Sequence, residues 1–256
     1  MKKIIIAGNW KMNKCKDEAL NFVYQINNKV PDRKKVETII FPQTILLDVL
    51  SQIEGKNLRI GAQNVFYKNS GSYTGENSPL SIHFLGIKYA LVGHYDRRTL
   101  FNETDEIVNL KLKELLKLDI YSIVCIGTNV NSNEEKNDEN LLYSQLEKIF
   151  FDVTENKIDK IILAYEPSNS IGTGESMNPI KANEIISKIR EKISSLFSKE
   201  ASKKIRIIYG GSTNKSNIED FLKQKEIDGV LAGKSSLNID DFLFFTQVAS
   251  EISKIK

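Results

Sequence analysis

Eight short apolar runs recur along the chain, separated by stretches long enough to hold a helix, and this alternation constrains the fold more than any other feature. The runs are Lys3–Gly8, Val36–Phe41, Leu58–Asn64, Tyr89–Gly93, Tyr121–Gly127, Lys160–Tyr165, Lys204–Gly210 and Gly229–Gly233. Each is nearly continuous in apolar residues and does not alternate with polar ones. A strand of that kind is buried on both faces, as in a parallel sheet covered by helices. Between the runs, Glu103–Leu118, Ala182–Phe197 and Ile239–Ile252 carry apolar residues at helical spacing. In the first of these, Ile107, Leu110, Leu112, Leu115, Leu116 and Leu118 are expected to lie mostly on one side. Strand and helix alternate from end to end, which predicts the α/β class. Eight such units in 256 residues fit a closed (β/α)8 barrel, one domain over residues 1–256, better than an open sheet.

Charge and cysteine usage remove several classes of function. The 36 basic and 33 acidic residues leave a net charge of +3 with no dense basic run, so no nucleic-acid footprint is expected. Cys15 and Cys125 lie far apart and near no histidine. They read as free thiols of a reducing compartment and not as a disulfide or a zinc site. The early apolar run Ile4–Ala7 is far short of the roughly 20 residues a membrane span needs. No membrane association is expected, and with no targeting signal the expected location is the cytoplasm. The polar segment Thr128–Asn140 reads as a flexible loop after the fifth strand.

In a parallel barrel, functional groups gather at the C-terminal ends of the strands. Those ends carry Asn9-Trp10-Lys11, Gly93-His94, Glu166-Pro167, Gly210-Gly211-Ser212 and Gly233-Lys234-Ser235. Lys11, His94 and Glu166 should therefore converge on one mouth beside two glycine-containing loops. Singly, each has an ordinary reading: a solvated lysine, a histidine at a strand end, a carboxylate opening a helix. Gly210-Gly211 alone could be a tight turn. The other histidine, His83, falls in a helical stretch and reads as structural or exposed. Joint placement at strand ends is what points to a site.

Eight ordered segments then carry a resemblance. They are Gly8–Asn13 (GNWKMN), Ala62–Asn64 (AQN), Tyr73–Glu76 (YTGE) with Ser78-Pro79, Gly93 to Glu106 (GH..RR..F.ETDE), Cys125–Gly127 (CIG), Ala164–Gly174 (AYEP..SIGTG), Ile207–Ser212 (IIYGGS) and Asp228–Gly233 (DG.LAG). In this order and spacing the chain resembles the triosephosphate isomerase family from Asn9 to Leu237. The resemblance implies a TIM barrel, no metal and no organic cofactor. It implies proton transfer between adjacent carbons of dihydroxyacetone phosphate and glyceraldehyde 3-phosphate through an enediolate. Glu166 would be the base, His94 the donor to substrate oxygens and Lys11 the stabiliser of negative charge, with Asn9 positioning it. A desolvated, aimed carboxylate suits a weak carbon acid, and fixed donors suit oxygens on which charge develops. Gly172, Ser212, Gly233 and Lys234 would hold phosphate through backbone N–H groups. Pro167 to about Met177 would be a lid, held shut by Tyr209 and Ser212. The segment Val65–Glu76 would dock into a second subunit, with Thr74 reaching its site, which implies a homodimer.

The chain departs from the family pattern near the site. The family's His-Ser-Glu-Arg-Arg is His94-Tyr95-Asp96-Arg97-Arg98, so the carboxylate at Asp96 is one methylene shorter. The lid opens Pro167-Ser168-Asn169-Ser170 where the family has Pro-Val-Trp-Ala, and the glutamate that meets that tryptophan is Thr128. The second glycine of the family's Gly-Gly pair is Lys234. The set Asn9, Lys11, His94 and Glu166 is intact, which favours a working isomerase. A four-carbon ketose phosphate is the alternative substrate, and a catalytically silent phosphate-binding homologue the alternative of another class.

Overall fold

The computed structural model describes residues 3–127, 135–167 and 175–256. Its strands are β1 (Ile4–Asn9), β2 (Val36–Phe41), β3 (Leu58–Ala62), β4 (Tyr89–Val92), β5 (Tyr121–Ile126), β6 (Ile161–Tyr165), β7 (Arg206–Tyr209) and β8 (Gly229–Ala232). They close into a barrel in sequence order, every neighbouring pair parallel. The seam is the pairing of β1 with β8, where Gly8 lies opposite Ala232. The (β/α)8 barrel expected from the alternation is the observed fold, with each strand lying inside or within a residue of its apolar run.

Successive residues of a strand point to opposite faces, and here both faces are apolar. Ile5, Ala7, Ile39, Phe41, Leu91, Ile123, Cys125, Ile162 and Leu231 fill the barrel interior. Their chain neighbours Ile4, Ile6, Ile40, Val92, Val124, Leu163 and Val230 pack outward against helix residues such as Phe22, Leu112, Ile186 and Phe242. Two nested cores explain why the runs are continuous.

The helices are α1 (Lys16–Ile26), α2 (Leu47–Ser51), α3 (Pro79–Phe84), α4 (Tyr95–Leu100), α5 (Asp105–Lys117), α6 (Glu135–Ile149), α7 (Pro179–Leu196), α8 (Lys199–Lys204), α9 (Ile218–Lys223) and α10 (Ile239–Ile252). Side-chain oxygens of Ser78, Thr104, Asn178, Ser198 and Asn238 cap α3, α5, α7, α8 and α10. Each accepts from a first-turn N–H that would otherwise lack a partner. His83 sits in α3, as expected, partly buried. Among the described residues, no helix is long and apolar enough to cross a membrane.

Two expectations are corrected. The buried face of α5 is Val108, Asn109, Lys111, Leu112, Leu115 and Leu116, while Leu110 is 44% exposed. Lys111 takes the inward position because an ion pair holds it there, described below, and Leu110 one residue earlier is rotated outward. The supposed loop Thr128–Asn140 is helical from Glu135. The buried stripe Leu142, Leu146 and Ile149 docks α6, and the polar residues before it continue the same helix. Thr128 to Glu134 lie outside the described residues.

Candidate active site

At the C-terminal end of the barrel a cleft of about 560 Å³ is lined by Asn9, Lys11, His94 and Glu166 on one side and by Ser212, Gly233 and Lys234 on the other. The residues singled out at five different strand ends thus meet in one cavity. Gly172 and Ser168-Asn169-Ser170 fall outside the described residues.

Lys11 is aimed by an unusual backbone. Its φ is +50°, a left-handed conformation that non-glycine residues avoid. Both of its peptide groups are tied. The Asn9 Oδ1 accepts from the Lys11 N–H at 3.0 Å, and Gln63 Nε2 donates to the Lys11 carbonyl at 2.7 Å. Conformations of this kind persist where the surroundings over-determine them. The ammonium so placed lies 3.2 Å from Asp96 Oδ2, each side chain 35% exposed. The shortened carboxylate therefore still reaches the lysine.

His94 occupies the position before α4 and caps it with its ring: Nδ1 accepts from the Asp96 N–H at 3.1 Å. An accepting Nδ1 carries no proton, so the proton of the neutral ring is on Nε2. Nε2 lies 3.2 Å from Glu166 Oε1. The other carboxylate oxygen accepts from the Tyr95 N–H at 2.8 Å. Glu166 is 3% exposed and His94 7%. Glu166 follows β6, and its N–H donates to the Ile126 carbonyl at 2.7 Å. Across from it, a Cβ on Gly127 would overlap the Glu166 carbonyl oxygen, so only glycine permits this approach. Burial, and then the neighbouring Glu166, push the Cys125 thiol well above its usual range, so it stays protonated beneath the base.

Behind His94 stands a buried charged frame. Gly93, at φ +70°, donates its N–H to Glu103 Oε1 at 2.9 Å, and its carbonyl accepts from Arg98 Nε at 2.6 Å. Glu103 Oε2 takes Arg97 Nε and Lys111 Nζ, each at 2.6 Å. Lys111 also donates to Asn64 Oδ1 at 2.8 Å. Burial works to raise the Glu103 pKa, but the Lys111 and Arg97 cations outweigh it and hold the carboxyl below its ordinary value. Both peptide groups around Gly93 are fixed by charges, which fixes the departure angle of His94.

The opposite side of the cleft is built of backbone. The N–H groups of Ser212, Gly233 and Lys234 have no acceptor among the described residues. Backbone donors left free along one side of a cleft suit an anion. Lys234 is exposed and forms no ion pair among the described residues, so its ammonium adds positive charge there.

Comparison with known proteins agrees with this geometry. The family model for triosephosphate isomerase matches residues 4–249. The chain belongs to the triosephosphate isomerase family. Over 247 residues it is 52% identical to the triosephosphate isomerase of Aster yellows witches'-broom phytoplasma (strain AYWB), covering 96% of this chain and 90% of the relative. The protein of the same name from Onion yellows phytoplasma (strain OY-M) is 51% identical over 247 residues, with the same coverage. That of Caldanaerobacter subterraneus subsp. tengcongensis is 40% identical over 242 residues, 94% of this chain and 98% of the relative.

Within this triosephosphate isomerase framework the described end of the expected lid touches the two residues assigned to hold it. Tyr209 Oη accepts from the Met177 N–H at 3.3 Å, and Ser176 Oγ donates to the Ser212 carbonyl at 2.8 Å. The sequence reading gave no role to Gln63, Asn64, Glu103, Lys111 or Ser235, and gave Ser176 only a place within the lid. Gln63, Asn64 and Glu103 lay inside two of the matching motifs, which was the available signal. Lys111 had another: a lysine on the apolar side of α5.

Proposed function

We propose that this protein interconverts dihydroxyacetone phosphate and D-glyceraldehyde 3-phosphate, with Glu166 as the base. The observation that carries the assignment of roles is the buried pair of Glu166 Oε1 and His94 Nε2, 3.2 Å apart at the floor of the cleft. Glu166 removes a proton from the carbon beside the carbonyl, and the electron pair moves onto the carbonyl oxygen. His94 Nε2–H donates to that oxygen, and the Lys11 ammonium opposes the charge that develops on it. Asn9 keeps Lys11 in place, and Asp96 holds its ammonium laterally. Return of the proton from Glu166 to the adjacent carbon, with passage of the hydroxyl proton from one substrate oxygen to the other by way of His94 Nε2, completes the isomerisation, with no net change in protons or electrons. Ser212, Gly233, Lys234 and, beyond the described residues, Gly172 are assigned to the phosphate.

A second subunit is part of this reading. Met12, Ile45 and Phe84 are 86%, 85% and 79% exposed, and Leu100 and Phe101 are 73% and 64% exposed. Apolar side chains this exposed are available to a partner. Val65–Glu76, including Thr74, is assigned to the contact with the second subunit, and Phe66 packs against Tyr73 with ring centres 4.6 Å apart. A homodimer through this loop gives twice the chain mass in sedimentation equilibrium. The chain mass alone at micromolar concentration removes the dimer. The free thiols Cys15 and Cys125 suit a cytoplasmic location.

Purified protein supplied with D-glyceraldehyde 3-phosphate tests the activity. Turnover to dihydroxyacetone phosphate is the expected result. Folded protein that leaves this substrate unchanged but isomerises a four-carbon ketose phosphate would move the assignment to the larger sugar, for which the extra cation of Lys234 offers a handle. Folded protein that turns over neither would be a silent homologue.

A further inference from the structure

The phosphate side of the cleft carries serine hydroxyls where they act on carbonyl oxygens. Ser235 Oγ donates to the Thr213 carbonyl at 2.6 Å, joining the loop after β8 to the loop after β7. Ser176 Oγ donates to the Ser212 carbonyl at 2.8 Å and accepts from Asn217 Nδ2 at 2.6 Å. Ser236 Oγ donates to the Gly233 carbonyl at 2.7 Å, and the Ser236 carbonyl accepts from Trp10 Nε1 at 3.1 Å. Three carbonyls of the two loops are thus occupied by hydroxyls, while the N–H groups of Ser212, Gly233 and Lys234 are left without acceptors among the described residues. An anion site needs that division. A carbonyl oxygen turned toward phosphate repels it, and a peptide unit free to rotate must be ordered again at each binding event.

We propose that Ser235 and Ser176 are positioning residues for phosphate: hydroxyl struts that hold the Thr213 and Ser212 carbonyls away from the cleft and lock two separate loops into one cradle. The inference rests on the phosphate assignment above. Neither hydroxyl needs to touch the ligand. Ser235 joins the loop after β8 to the loop after β7, and Ser176 joins the segment between β6 and α7 to that same loop after β7. Asn217 supports Ser176 and also accepts from the Asn214 N–H at 2.8 Å, which makes the first loop a closed ring of hydrogen bonds.

The test uses full-length Ser235→Ala, Ser176→Ala, the double variant and Ser235→Thr, which restores the hydroxyl. Inorganic phosphate binding is measured by calorimetry, and isomerisation is measured on D-glyceraldehyde 3-phosphate and on unphosphorylated D-glyceraldehyde. A neutral hydrogen bond lost from each strut should weaken phosphate binding by about five-fold, and more in the double variant. KM for the phosphorylated substrate should rise in step, Ser235→Thr should recover most of the loss, and kcat/KM for D-glyceraldehyde should not change. Phosphate affinity in the double variant within a factor of two of wild type would overturn the proposal. So would an equal loss on both substrates, because that is the mark of general loosening. If wild type lacks isomerase activity, the functional reading fails, yet the phosphate affinities still decide the role of the struts.

Discussion

The two sides of the cleft are built from different materials. The acid–base side consists of charged side chains, Lys11, Asp96 and Glu166 around His94, held by a buried frame of further charges, Glu103, Lys111 and Arg97. The opposite side, assigned above to phosphate, presents backbone N–H groups on loops whose carbonyls are held by neutral hydroxyls. Under the proposed function the difference follows from the tasks. Moving a proton needs groups whose protonation and aim are fixed to a fraction of an ångström, and buried ion pairs supply that rigidity. Holding a phosphate needs several weak donors converging on one point, which a glycine loop provides without a buried charge.

Substitutions should separate the two sides. The largest effect is expected at His94, whose replacement by alanine removes the Nε2 donor and should lower kcat by about 10²–10⁴-fold. A kcat within ten-fold of wild type would mean the donor lies elsewhere. Next, Glu103→Gln leaves Lys111 buried opposite a neutral group and should destabilise the fold by about 3–5 kcal/mol, read by denaturant unfolding. The same carboxyl sets a pH dependence. Its folded pKa lies below the ordinary value of 4.5, so its contribution is fully present above that value and is lost as pH falls through the folded one. Wild type should lose unfolding free energy below about pH 4.5 more steeply than the glutamine variant; parallel acid limbs would contradict the assignment. Asp96→Ala releases the Lys11 ammonium and should cost about ten-fold to a hundred-fold in kcat/KM, with Asp96→Glu much closer to wild type.

The smallest effect tests the charge of Lys234 on the side assigned to phosphate. Lys234→Gly should raise KM by about three-fold to ten-fold at low ionic strength and hardly at all at about 0.5 M salt, because exposed charges are screened. A salt-independent change would place the role of Lys234 in its backbone and not in its ammonium.

The same division governs what could be read from the amino-acid sequence. The barrel was legible because both faces of every strand are apolar, and Lys11, His94 and Glu166 were legible because side-chain identity at strand ends is itself the signal. The phosphate side was harder. A donating N–H of Ser212 or Gly233 has no letter of its own, and Ser176 and Ser235 look like any loop serine until their acceptors are known. Lys111 and Leu110 exchanged expected places because helical spacing cannot foresee that Glu103 will draw a lysine inward. The start of α6 was hidden in the same way: its polar residues match a loop in composition, and only the docked stripe beyond them makes the segment helical.

The central claim is that Glu166 carries a carbon-bound proton, and solvent deuterium measures it directly. In D2O, wild type acting on D-glyceraldehyde 3-phosphate should place deuterium on carbon in the product, followed by proton NMR. Folded Glu166→Gln should lose isomerisation and deuterium entry together, by roughly a thousand-fold, within the range general-base groups contribute. Isomerisation in wild type with no deuterium entering, or undiminished exchange in the variant, would contradict the account.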